Sequence, residues 1–265
     1  MRKCLKLLLL VTLVHNAVSG QHFTHEIGLH AGSAIIQSDY QTNYDLNSIT
    51  RVSGVSVSLT HTMHFFNQNL RWNANHFLWD HVALRSELNI VSGISLEHQG
   101  RYVTQNSEQG IKLGAMRGSL NLMSFGLQLE YFVRPLGDYL HHSSNIKLNP
   151  YFLAGIHYNM YNNDLTSSLG DWQQDISVIP DKWQAPGALD IGPGSALSAT
   201  LGFGTRYKFS DDLDLNFQLS LKYFFSDSVD GLNAPSIENR SNDFLANTQF
   251  GIIYHLNLSR PLRLF

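Results

Sequence analysis

Leu213-Asp214-Leu215-Asn216-Phe217-Gln218-Leu219-Ser220-Leu221-Lys222-Tyr223-Phe224-Phe225 decides the fold. Leu213, Leu215, Phe217, Leu219, Leu221, Tyr223 and Phe225 share one parity, and Asp214, Asn216, Gln218, Ser220 and Lys222 share the other. A strand sends successive side chains to opposite faces, so this segment has one apolar and one polar face. Seven further segments repeat the pattern. Ile27, Leu29, Ala31 and Ile35 oppose Glu26, Gly28, His30 and Gly32, and Val55, Val57, Leu59 and Met63 oppose Ser56, Ser58, Thr60 and Thr62. Val82, Leu84, Leu88, Ile90 and Ile94 oppose Arg85, Glu87, Asn89 and Gly93. Phe125, Leu127, Leu129 and Tyr131 oppose Gly126, Gln128 and Glu130, and a weaker segment sets Phe152, Ala154, Ile156 and Tyr158 against Gly155, His157 and Asn159. Leu197 to Phe209 and Phe244 to Leu256 complete the set.

The chain opens with Arg2, Lys3 and Lys6, continues with an apolar run over 7–14, and reaches Val18-Ser19-Gly20. A charged start, a short apolar core and small residues read as a signal peptide cleaved after Gly20. The core is too short for a spanning helix, which needs about 20 apolar residues. The expected organisation is a signal over 1–20 and one domain over 21–265. Cys4 is the single cysteine and goes with the signal, so the mature chain has no disulfide and no thiolate site. Loss of Arg2, Lys3 and Lys6 leaves 15 basic against 21 acidic residues, a net charge of −6, which is no footprint for nucleic acid.

Repeated strands of crossing length behind a secretion signal predict an all-β protein, an eight-stranded antiparallel up-and-down transmembrane β-barrel. A soluble lipocalin-like barrel would turn its polar face to water and carry more Lys and Glu there. Here the polar face is mostly Gly, Ser, Thr, Asn and Gln, and charged residues make up 15% of the chain. Short turns on the periplasmic side and long loops outside put 40–50, 97–116, 162–193 and 226–242 outside. They put 66–81, 134–148 and 210–212 inside, the first two longer than such turns need. The expected surroundings of such a barrel are outer-membrane lipid.

The polar parity carries Glu26, Arg85, Glu87, Glu130, Arg206, Lys208, Asp214 and Lys222. Charges inside a narrow barrel must be paired or solvated. Four acids against four bases predict an ion-pair network closing the lumen, with Arg206 or Lys222 as the partner of Glu130. A selective pore would favour one sign. Trp72 and Trp79 in one inner connection, and His141 and His142 in the other, form a candidate docking face for a protein partner. His25, His61, His64, His76, His81, His141, His142 and His255 all map near the inner end, but no fixed metal-ligand spacing is present, and no metal or cofactor is expected. Asp227 to Glu238 has acids in the wrong register for a calcium loop. His98 beside Glu97 is the one histidine at the outer rim, too little for a hydrolase, so no catalytic residue is expected.

Several stretches resemble a known family: Thr24-His25-Glu26-Ile27-Gly28, Ala115-Met116-Arg117-Gly118, Gly126-Leu127-Gln128-Leu129-Glu130-Tyr131-Phe132, Gly204-Thr205-Arg206-Tyr207-Lys208, and the run from Tyr223 to Asn233. They are similar to small outer-membrane barrels of Bacteroidota related to PorG, an accessory protein of type IX secretion, and to an uncharacterised flavobacterial subfamily. The resemblance implies a Gram-negative outer membrane and a secretion or gliding role, and it supplies no catalytic residues; with no catalytic constellation in the sequence, the expected function is a non-enzymatic barrel that anchors or aids such an assembly. The alternatives are a narrow transporter and, further off, a rim enzyme on lipid or peptide.

Overall fold

The structure is a computed structural model describing residues 24–38, 40, 53–65, 77–100, 102–103, 106–140, 145–233 and 242–256. Eight strands close on themselves in sequence order: β1 (Thr24–Gln37), β2 (Ser53–His64), β3 (Val82–Glu97), β4 (Met116–Phe132), β5 (Leu148–Ser167), β6 (Gly192–Lys208), β7 (Leu213–Phe224) and β8 (Phe244–Leu256). Every neighbouring pair is antiparallel, and β8 pairs with β1, so no strand edge is left open. Among the described residues three short α-helices lie in the connections, α1 (Phe77–His81), α2 (Glu108–Ala115) and α3 (Leu136–Leu140), with two single 3-10 turns at Ile176–Val178 and Asp181–Trp183. The expected eight-stranded antiparallel barrel is the fold observed. The signal region, Trp72, His76, His141 and His142 lie outside the described residues.

Through the middle of the barrel the alternation has the orientation a membrane demands. Leu29, Val55, Phe152, Ile156, Leu201 and Phe250 stand outward and are 59–66% exposed, while Glu26, Arg85, Glu130 and Arg206 point inward and are at most 1% exposed. An outward band this apolar is stable in hydrocarbon, and the closed ladder leaves no backbone group needing water.

Two boundaries differ from the sequence reading. Ile94 is inward and 1% exposed, not part of the outward parity. A one-residue bulge between Val91 and Ile94, with Gly93 at φ +75°, flips the side of every residue beyond it. Residues 162–167 are not loop. β5 runs on to Ser167 and pairs with β4 down to Met116. The segment read as weakest is the longest strand, at 20 residues.

Large inward rings fill the lumen by lying over glycines of the neighbouring strand. His157 covers its register partner Gly126, and His30 covers Gly251. A Cβ at either glycine would collide with the ring, so the glycine is required by close approach.

Candidate functional site, the three-layer lumen

The interior is stacked in three layers. At the end where β1 starts and β8 stops, here termed the inner end, α3 folds into the mouth. Leu136 is fully buried against Ala83, Phe132, Tyr151 and Leu153. Tyr139 is 1% exposed, and its carbonyl accepts from Lys208 Nζ at 3.2 Å. The connection over 134–148 therefore spends its described helix on closing the barrel, which explains part of its length. His81 ends α1 and contacts the Phe132 carbonyl through Nδ1 at 2.6 Å.

The middle layer is charged. Glu130 sits between two guanidinium groups, Arg206 at 2.7 Å and Arg85 at 3.0 Å. Arg206 also reaches Glu26 at 2.5 Å, and Arg85 reaches Glu87 at 3.3 Å. Glu87 accepts from Gln128 at 2.7 Å and meets His157 Nε2 at 3.1 Å, whose Nδ1 meets Thr200 at 3.0 Å. Arg206 stacks over Phe132 at 4.7 Å, joining this layer to the one below. The seven members Glu26, Arg85, Glu87, Glu130, Arg206, Asp214 and Lys222 are at most 8% exposed, and Lys208 stands at the inner rim.

Lys222 does not touch Glu130. It donates to Ser124 at 2.9 Å and Asn159 at 3.3 Å. Lys222 lies near the outer end of β7 and Glu130 near the inner end of β4, so their heights differ. Sequence reasoning assigned His64 and His255 to the inner end but missed their part in the network. His64 Nε2 lies 2.8 Å from Glu26, while His255 bridges Glu26 at 2.9 Å and Asp214 at 3.2 Å. Shared parity with Glu26 and Asp214 across the ladder was the available signal. Neutral polar groups continue above: Asn89 and Gln249 each donate to both Ser56 and Ser58 at 2.8–2.9 Å.

The outer layer is apolar. Ile36, Ile94, Leu96, Leu120, Leu122, Leu165, Phe224 and Leu245 point inward from the strand ends. The connection between β5 and β6 folds over them and seats Ile179, Trp183 and Ala188 in the mouth at 0–2% exposure. Trp172 Nε1 donates to the Leu165 carbonyl at 2.8 Å, and Asp181 N donates to Gln109 of α2 at 3.0 Å. His98 is stacked on Tyr40 at 4.5 Å and lies 6.3 Å from the Trp183 ring. Burial, with Lys182 and Arg117 nearby, pushes the His98 imidazole down to about 3, so it is neutral. Glu97 is paired with Arg117 at 3.2 Å, so the rim histidine and its neighbouring carboxylate serve separate contacts.

Among the described residues no group of three or more His, Cys, Asp or Glu is placed to hold a metal ion. In the segment compared with a calcium loop, Asp230 Oδ1 accepts from Leu232 N at 2.8 Å, a local turn bond. No described helix is long and apolar enough to cross a membrane, which says nothing against crossing with strands.

No protein-family model matches the chain, and no curated protein does. Solved structures do. Neisserial surface protein A is 11% identical over 87% of this chain and 96% of its own, with a TM-score of 0.47. A major outer membrane protein of Thermus thermophilus is 12% identical over 88% and 99%, at 0.45. Ail, the attachment invasion locus protein of Yersinia pestis, crystallised with sucrose octasulfate, is 10% identical over 88% and 99%, at 0.43. The likeness extends no further than the barrel. By its closed ladder, apolar exterior and polar centre, the chain is an eight-stranded β-barrel of the outer-membrane type.

Proposed function

We propose that this barrel is a non-enzymatic outer-membrane anchor for an envelope assembly, serving secretion or gliding through protein partners rather than through passage of solutes. One observation carries the reading. The lumen is closed three times over, by α3, by the ion network and by the apolar cap. A barrel filled in this way offers its ends, not its interior, to other molecules. The type IX assignment rests on the resemblance of the quoted stretches alone. Of the candidate docking residues, Trp79 stands 51% exposed beside Phe77 and Leu78, at 61% and 67%, on α1. It packs edge-on against Phe65 at 5.2 Å. Three adjacent apolar side chains at the inner rim suit a partner surface. Trp72, His141 and His142 belong to the same proposed face.

Two measurements test this. Reconstituted protein in planar bilayers is expected to show no sustained conductance, and a steady open state would replace the anchor by a channel. Deletion of the gene is expected to change the secreted proteins, with Trp79→Ala reproducing part of the defect. Unchanged secretion and motility would end the assembly reading while leaving the barrel intact.

A further inference from the structure

The outer mouth carries a stack of three buried rings. Tyr40, His98 and Trp183 lie face to face, with 28° between the first two planes and 27° between the last two. Their centroids are 4.5 Å and 6.3 Å apart, so the Trp183 end is the looser one. Each ring also carries a polar atom that is buried and, among the described residues, has no hydrogen-bond partner: Tyr40 Oη, His98 Nε2 and Trp183 Nε1. Buried phenol and indole groups ordinarily find a partner, and leaving one without costs free energy. Three such atoms on one stack call for a molecule that supplies partners at the ring edges.

Two of the rings are fixed to the barrel. Tyr40 folds over Gly118 of β4, where a Cβ would come within 2.9 Å of its hydroxyl, and His98 directly follows the end of β3. Trp183 stands on the connection between β5 and β6, which is anchored near both ends. Trp172 Nε1 donates to the Leu165 carbonyl at one end. At the other, Asp190 N donates to the Gly231 carbonyl at 3.0 Å and Asn233 N to the Ala188 carbonyl at 2.8 Å. Between these anchors the chain reaches α2 through Asp181, whose N–H donates to Gln109 Oε1 at 3.0 Å and whose carboxylate lies 4.0 Å from Lys112. Gly187 closes the stretch at φ +80°, and a Cβ there would meet nothing within 4 Å. Backbone freedom, not packing, accounts for that glycine, as suits a hinge.

The stack also defines the ligand. Trp183 Nε1 is a donor only, and the Tyr40 phenol can donate as well, so acceptors are needed on the ligand edge. Parallel rings admit a flat ring between them; they do not wall in a compact cation. A flat ring between two others holds them about 7–8 Å apart, two contacts of about 3.5–4.0 Å each, so from 6.3 Å Trp183 has to rise by on the order of 1–2 Å. The layer beneath is apolar and disfavours a charge. The connections 97–116 and 162–193 carry seven acids against three bases, which turns anions away. We infer that residues 173–187 are a lid over a binding site for an uncharged planar ring with carbonyl or ring-nitrogen acceptors on its edge, held between His98 and Trp183. Such a site stands whether or not the inner face docks a secretion partner.

The test uses the full mature chain in nanodiscs with riboflavin as the probe, an uncharged flavin whose fluorescence is quenched when its ring stacks on indole or phenol. Titration is expected to give saturable quenching. Trp183→Leu, which keeps the mouth apolar, is expected to weaken binding by about tenfold or more. Tyr40→Phe, which keeps the stack and removes the hydroxyl, is expected to weaken it by less. Each variant is first checked for the heat-shifted migration of a closed barrel. The chain without residues 1–20 has no cysteine, so Gln109→Cys with Asp181→Cys can be joined by a short bismaleimide that pins the lid to α2. The pinned protein is expected to lose the quenching that the same variant shows before cross-linking. Absence of saturable quenching by the wild-type protein overturns the site. So does quenching that survives Trp183→Leu. Quenching that survives the cross-link overturns the lid, and unchanged binding by Tyr40→Phe overturns the edge acceptor. Displacement of the flavin by glucose at comparable concentration overturns the planar-ring assignment in favour of a sugar.

Discussion

The inner and outer halves of this barrel obey opposite rules. In the inner half, apolar side chains face out and charged ones face in: Leu201 is 66% exposed while Arg206, five residues along the same strand, is 1% exposed. At the outer strand ends the code reverses. Arg117, Ser119, Asn121, Asn162, Asp164 and Thr166 face out, while Met116, Leu120, Leu122, Tyr161 and Leu165 face in. Nothing in the ladder changes, since β4 and β5 stay in unbroken register from Phe132 to Met116. What changes is the solvent. Where hydrocarbon surrounds the wall, the apolar row belongs outside and polar groups satisfy one another within. Where water surrounds it, the apolar row turns inward and becomes an ordinary hydrophobic core. The reversal therefore marks where the barrel leaves the membrane, and it explains why the lid over the outer mouth is built from Ile179, Trp183 and Ala188.

The two halves should fail differently. The largest effect belongs to the charged layer. Glu130→Leu leaves Arg85 and Arg206 each short of a carboxylate in a buried site, at a cost on the order of 3–5 kcal/mol. Adding Arg206→Leu should recover part of that loss. Urea unfolding of the four-member cycle in detergent measures it, and strict additivity would show that the layer is not a coupled network.

The lipid-facing wall comes next. Leu201→Lys places an ammonium on the hydrocarbon side and should destabilise by about 2–4 kcal/mol if that residue lies near the bilayer midplane. The same unfolding assay in liposomes reads it. A cost below about 0.5 kcal/mol, the level of ordinary surface substitutions, would mean that water reaches this wall.

The cap gives a smaller and pH-dependent effect. His98 has a folded value of about 3 against an ordinary 6.5, so the open cap binds a proton that the closed cap excludes. Closure is fully stabilised above pH 6.5. It weakens as pH falls between 6.5 and 3, because the open cap takes up a proton there and the closed cap does not. Protection factors over 168–191, taken against the intrinsic exchange rate at each pH, should therefore fall in acid while those of the strand amides hold. His98→Phe, which keeps the stack on Tyr40 without a titrating nitrogen, should flatten the profile. An acid response that persists in this variant would assign the opening to another group.

How far the sequence could be read follows from the same contrast. Period-two alternation was legible wherever one side was lipid, because there the apolar parity is continuous, as in Leu213 to Phe225. It fades at Tyr161-Asn162-Asn163-Asp164-Leu165, where asparagine occupies both parities and the polar side faces out, so the sequence there resembles loop although the chain forms strand. A bulge leaves no mark on composition except Gly93, and Ile94 was assigned to the wrong face. The charged residues of the lumen were visible as a parity class. Their partners are visible only in part, because height along a tilted strand decides contact: Glu130 meets Arg206, one of the two partners expected, and also Arg85, while Lys222 is too far along. His255 falls on the polar parity of its segment, but nothing in the alternation shows that it bridges Glu26 and Asp214, since that depends on which strands close the ladder. The closing of the inner mouth by α3 had no sequence signature, since five residues carry too little periodicity to show which way they turn.

The smallest effect is the sharpest test of the reversal. Asn162 is outward on β5, as Tyr158 is four residues earlier, and both stand on the same face of one strand. If the whole strand were in lipid, a lysine at either position would be costly. If the membrane ends between them, Asn162→Lys places a charge in water beside other polar side chains and should change stability by no more than about 0.5 kcal/mol. Tyr158→Lys, inside the band, should cost measurably more. Lysine substitutions at Met160, Asn162 and Asp164 would then trace the falling cost along one face, and the residue where it vanishes would locate the membrane surface. A cost at Asn162 equal to that at Tyr158 would place the outer strand ends in hydrocarbon and leave the inward turn of Leu120, Leu122 and Leu165 without its solvent explanation.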